Sequence, residues 1–324
     1  MAGALKHIVW PVGFAALLMS VLLLVAVIVP APATSNVITN VAVSSTGRYV
    51  AAGTHDGRVT VCVLEGGSSC RTFTNRAGEL NDLQFSPDEQ FLAIANDNIQ
   101  LVGVVSGSKS FFVRDDERRY GTVRFNMTGN EILTINSRSR IELIDVKSRT
   151  VSAAICCSSF YGEVGFFRSA TRVANAGHWP RVWTRRGQLV GSLTRDREYE
   201  TFRPIVVEET AGRIFMGSQD GRVYVWSLVD FALLGRSPAQ GDYVDTIALA
   251  PKLEMLAYSG FGKQVHLWSG APYRTPVILT AKSSSNIAAL PDGVSILFGT
   301  DSGTIQTWRL GASPFMTSEL HILH

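Results

Sequence analysis

Charge is scarce in this chain: Asp, Glu, Lys and Arg make up 18% of 324 residues, and the net charge is +3. The basic residues are scattered, with no stripe that would track a phosphate backbone, so no nucleic-acid partner is expected. Cysteine is rarer still. Four residues among 324 rule out a small scaffold built on disulfides, and a 46% hydrophobic content suffices for a core made by apolar burial. Of six histidines, His7, His321 and His324 lie at the chain ends, and His55, His178 and His266 are widely separated. Gly-rich phosphate loops, Gly-x-Ser-x-Gly elbows and ordered Cys-His clusters are all missing. The expectation is therefore no metal, no cofactor and no catalytic residue.

Charge is also missing from one continuous, predominantly apolar block, residues 8–29. As a helix it would extend roughly 33 Å at about 1.5 Å per residue, enough for a hydrocarbon core of about 30 Å. Pro11 sits in the first turn, where the missing N–H costs nothing, and Trp10 sits at interface level. Ala31-Pro32-Ala33 has the small-x-small form of a signal-peptidase site, but the run exceeds a usual signal core and Pro32 lies inside the site. A retained transmembrane helix is expected. Lys6 precedes it and no Lys or Arg follows before Arg48, which places residues 1–7 in the cytoplasm and the rest on the periplasmic or lumenal side.

What fills the remainder is repetition. Asp220-Gly221 joins two strand-like runs, the second alternating Val223, Tyr224, Val225, Trp226. The same hairpin recurs at Asp56-Gly57 and at Ser302-Gly303. Apolar strand ends before a turn fall at Val43, Phe85, Phe125, Phe166, Val207, Leu249 and Leu290, in steps of 42, 40, 41, 41, 42 and 41. Ends of third strands fall at Cys62, Val102, Ile144, Trp183, Trp226, Trp268 and Trp308, in steps of 40, 42, 39, 43, 42 and 40. Two series with one period near 41 and seven members each predict seven four-stranded units filling residues 37–324 after a linker at 30–36.

On Phe85-Ser86-Pro87-Asp88, Leu290-Pro291-Asp292-Gly293, the Asp-Gly hairpins and the four tryptophans, the chain resembles the WD (Trp-Asp) repeat family. The expected fold is all-β, a seven-bladed propeller preceded by one transmembrane helix. No repeat carries the Gly-His pair near its start, and Thr184, Ser227, Ser269 and Arg309 follow the tryptophans where the family has Asp. The family's buried Asp-His-Ser-Trp network is therefore not carried over.

The resemblance implies a rigid, non-catalytic platform for protein partners, here a scaffold or accessory subunit of a membrane complex, held in the bilayer by residues 8–29. The alternatives are a ligand-sensing or envelope-sensing propeller and, further off, a lactonase-like or dehydrogenase-like propeller enzyme. Trp183, Trp226, Trp268 and Trp308 are expected to fill the spaces between blades. Tyr120, Tyr161, Trp179, Tyr243 and Phe261 are expected as exposed partner anchors on the face carrying the inter-blade loops and the second-to-third-strand hairpins. Cys62 and Cys70 either bridge neighbouring strands or sit as two half-buried small hydrophobes.

Overall fold

The computed structural model describes residues 36–64, 69–74, 80–113, 120–155, 163–167, 169, 171–194, 201–260, 264–269, 277–283 and 285–322. Residues 8–29, expected to cross a membrane, lie outside them. Among the described residues no helix is long and apolar enough to do so.

Seven antiparallel sheets follow one another, each made of four consecutive strands in chain order. Their innermost strands are Ile38–Val43, Asp82–Phe85, Tyr120–Phe125, Val164–Phe166, Phe202–Glu208, Thr246–Ala250 and Ile287–Ala289. These are the blades of a seven-bladed propeller. Turn chemistry punctuates them: Gly57, Gly221 and Gly303 all take φ near 80° in the hairpins between second and third strands. Of the outermost strands, Leu233–Arg236 is only half-buried and Phe315–His321 is largely exposed.

Strand register explains the period. Val50 pairs with Cys62, Leu92 with Val102, Ile132 with Ile144, Val173 with Trp183, Ile214 with Trp226, Leu256 with Trp268 and Ile296 with Trp308. On the other side of the same row stand Val43, Phe85, Phe125, Phe166, Val207 and Leu249. The two sequence series are thus one cross-strand row, and directly opposed apolar side chains of this kind stabilise a sheet most. Blade seven departs by one residue. Ala289, not Leu290, pairs with Ile296, because Leu290 already begins the Pro291-Asp292 turn.

The described core forms seven apolar clusters, one in each gap between neighbouring blades. Trp183 lies in the gap between blades three and four, Trp226 between four and five, Trp268 between five and six, and Trp308 between six and seven. Trp226 is fully buried, edge-on to Phe202 at 5.2 Å, and its indole N–H donates to the Thr194 carbonyl at 2.6 Å.

Among the described residues no strand is shared between the first and last blades. Closure comes from the seventh cluster, in which Ile38, Val41, Val50 and Cys62 meet Leu297, Ile305 and Ile322. At this gap the Asn286 side chain grips the backbone of one residue, accepting from Val41 N–H at 2.6 Å and donating to Val41 C=O at 2.9 Å. Cys62 and Cys70, directly opposed on the third and fourth strands of blade one, form a disulfide.

Trp226→Ala should cost about 3–5 kcal/mol in urea unfolding, the usual price of emptying an aromatic site. Asn286→Ala should cost about 1–3 kcal/mol, two hydrogen bonds' worth, whereas Thr317→Ala, on the exposed outer strand of the same blade, should change little.

Candidate functional site

Ile38 pairs with Thr54, so the start of each innermost strand lies at the same end of its sheet as the hairpin between second and third strands. That end is the loop face, and its most distinctive part spans blades four to six.

Blade four replaces the Asp-Gly turn with Gly177-His178-Trp179-Pro180, and the structure shows what holds it. The Trp183 indole N–H donates to Asn175 Oδ1 at 2.8 Å, and Asn175 Nδ2 donates to the carbonyls of Ala176 at 2.8 Å and Trp179 at 3.0 Å. Asn175 is completely buried, so this relay fixes the turn from beneath. From the side, Gly177 forms an isolated bridge with Phe202 of blade five, N–H to C=O at 2.9 Å in one direction and 3.3 Å in the other. The His178 ring meets the Thr201 hydroxyl at 2.7 Å. Trp179 is left 51% exposed on a turn that its neighbours hold rigid.

Blade five keeps its Asp-Gly turn and uses it as a seat. Gln240 N–H donates to Gly221 C=O at 2.9 Å, Val244 N–H to Ser218 C=O at 3.0 Å, and Arg222 Nη1 to Ser237 C=O at 2.9 Å. The segment leading into blade six is thus laid over the turn. A side chain at Gly221, whose φ is +81°, would start 2.5 Å from the Asp242 carbonyl. One at Gly260 would start 1.8 Å from that of Tyr243, so both positions require glycine.

The expected anchors separate on this geometry. Tyr120 is not an anchor: it is fully buried at the start of its strand, packed with Ala95, Ile99 and Val123. The reason is positional. Tyr120, Tyr161, Phe202 and Tyr243 are spaced by 41, and Phe202 is likewise fully buried as the plug at the head of its blade. In blade six that role passes one residue on, to Val244, which is 2% exposed, and Tyr243 turns half-exposed onto the loop face. Tyr161 and Phe261 lie outside the described residues.

Between these elements is a cavity of about 400 Å³ lined by His178, Thr201, Arg203, Gln219, Tyr243, Val244 and Asp245. Arg203 and Asp245 also line a second cavity, of about 290 Å³, in the central channel. The channel has its own row: Asn40, Asn81, Thr122, Glu163, Pro204, Asp245 and Asn286, every step 41 residues. None of the seven is apolar except proline, as expected of side chains directed at a wet axis. Sequence reasoning missed these residues, although starting three residues before Val43 and stepping by a constant 41 would have found them.

Charge alternates along one side of the channel. Asp82 accepts from Val123 N–H at 2.9 Å and ion-pairs with Arg124, which stands 3.9 Å from Glu163. Burial pushes the carboxyls of both Asp82 and Glu163 above their ordinary range, only partly opposed by Arg124 and, at Glu163, by Arg203. Burial works against the Arg124 guanidinium too, but Asp82 and Glu163 outweigh it and hold its pKa up. Among the described residues no His, Cys, Asp and Glu group is arranged to hold a metal ion.

Residues 27–61 match the family model described as WD domain, G-beta repeat. The solved structure of the WD40 beta propeller domain of Doa1 superposes with a TM-score of 0.73, covering 85% of this chain and 93% of that one at 13% identity. That likeness establishes the propeller fold. No curated protein matches the sequence.

Glu163→Gln should stabilise the protein at pH 7. A carboxyl whose folded pKa is raised contributes stability below its unfolded value, near 4.3, and loses that contribution as pH climbs through the folded value. The gain in melting temperature should therefore shrink as pH falls and vanish below about pH 4, where the wild-type side chain is protonated in both states.

Proposed function

We propose that this propeller is a non-catalytic interaction scaffold, tethered to a membrane through residues 8–29, that docks a protein partner on the loop face of blades four to six. The observation that carries the reading is Trp179: a large aromatic, half-exposed, on a turn immobilised by Asn175, Trp183 and the Gly177–Phe202 bridge. Exposed aromatics on pre-ordered backbone bind without a large ordering cost, and such residues dominate interface energetics. Tyr243, on the next element of the same face, supplies a second anchor.

The fold supports a platform role, and a partner complex in or at the membrane is the form that suits a chain with residues 8–29 at its head. The Cys62–Cys70 disulfide suits an oxidising compartment and the charge flank at Lys6 points the same way, and both support the reading of an extracytoplasmic propeller.

Trp179→Asp combined with Tyr243→Asp should release whatever protein co-purifies with the full chain after mild detergent extraction. Each anchor is worth about 2 kcal/mol if it is a hot spot. The melting temperature should stay within a degree or two, because neither side chain fills a blade gap. A complex that survives both changes overturns the docking assignment.

A further inference from the structure

The 400 Å³ cavity is large enough for a small organic ligand, and it sets polar side chains beside an apolar wall, as small-ligand sites do. Val244 is its one aliphatic residue. The remainder offers hydrogen bonding in both directions: guanidinium donors from Arg203, carboxylate acceptors from Asp245, and an amide that does both from Gln219. Among the described residues the side chains of Arg203, Gln219 and Asp245 make no hydrogen bond or short ion pair. Arg203 and Asp245 line the same two cavities, carry opposite charges and yet do not pair.

The backbone beneath these groups is fixed. Thr201 C=O accepts from Gln219 N–H at 3.2 Å, and Asp245 N–H donates to Ser259 C=O at 2.9 Å. Tyr243 closes one wall with a half-exposed aromatic ring, and the Thr201 hydroxyl, already joined to His178, closes another.

The geometry points to a binding site for a neutral, hydroxyl-rich ligand, the terminal unit of a saccharide. Each sugar hydroxyl donates and accepts at once, so neighbouring hydroxyls satisfy Asp245, Arg203 and Gln219 together. The apolar face of the ring takes the aromatic wall. A carboxylate ligand would satisfy Arg203 and be repelled by Asp245, and an ammonium ligand would meet the reverse. The opposed charges of the lining select for a ligand without net charge.

The test uses the full chain in a detergent without a sugar headgroup and without any partner, so its outcome is separate from that of the docking experiment. Methyl glycosides of glucose, galactose, mannose and N-acetylglucosamine are screened by saturation-transfer NMR, with glycine and trialanine as zwitterionic controls. At least one glycoside should receive saturation on its ring protons and titrate to a defined Kd. Asp245→Asn and Arg203→Gln should each weaken it 10-fold or more. Gln219→Ala, which removes an exposed side chain that holds nothing else, should weaken it severalfold at an unchanged melting temperature. If either of the first two variants fails to fold, Gln219→Ala decides. Silence from all four glycosides, an affinity unchanged by these substitutions, or binding confined to glycine or trialanine overturns the proposal.

Discussion

Everything in this structure depends on a ring that must close through side chains alone. Among the described residues the seven blades, each made from four consecutive strands, have no covalent or strand-sharing latch, and the gap between the last blade and the first is sealed by the same kind of apolar cluster as the other six. Asn286 adds a two-way bond to the Val41 backbone at that gap. Similar side-chain bonds cross other gaps: Thr246 accepts from Ile287 N–H at 2.8 Å, and Asn81 donates to Tyr120 C=O at 2.9 Å. The innermost strands thus form a hub joined by polar bonds, surrounded by a rim joined by apolar contact.

That division accounts for how much could be read from the sequence. Large side chains at Trp183, Trp226, Trp268 and Trp308 must meet opposed neighbours at a fixed distance from each turn, so any insertion would empty a gap, and the period stands out. The hub row is equally regular, from Asn40 to Asn286, but polar residues at the axis are interchangeable and leave no single-residue signature. Tyr120 shows the complementary error. An aromatic at the head of an inner strand reads as a loop residue until the pairing of its blade is known, and only then does its equivalence to Phe202 make it a plug.

Among the described residues the turns of blades four and five hold the next blade as well as their own. In blade four the bridge from Gly177 to Phe202 replaces the Asp-Gly turn, and the histidine and tryptophan are the residues this leaves outside. In blade five the Asp220-Gly221 turn survives with an added role as support for the segment from Ser237 to Asp245. The cavity between them is a by-product of these two cross-blade contacts. Its shape is set by backbone hydrogen bonds, and much of its chemistry by the exposed side chains of Arg203, Gln219 and Asp245, which fill no blade gap. Such positions are free to be tuned for a ligand without cost to the ring.

The unlatched seam also decides how the wheel answers a mechanical load. Residue 36 leads directly into the hub strand of blade one, which is the strand that Asn286 grips. Tension applied through it therefore arrives at the axle, at the one junction where two neighbouring blades are not consecutive in the chain. There, among the described residues, it pulls against the Asn286 amide clamp and the apolar cluster of that gap. The Cys62–Cys70 bond ties only the rim of that blade to itself and bears none of this force. The propeller would come apart as an opening chain beginning at this seam, with six blades still stacked in order.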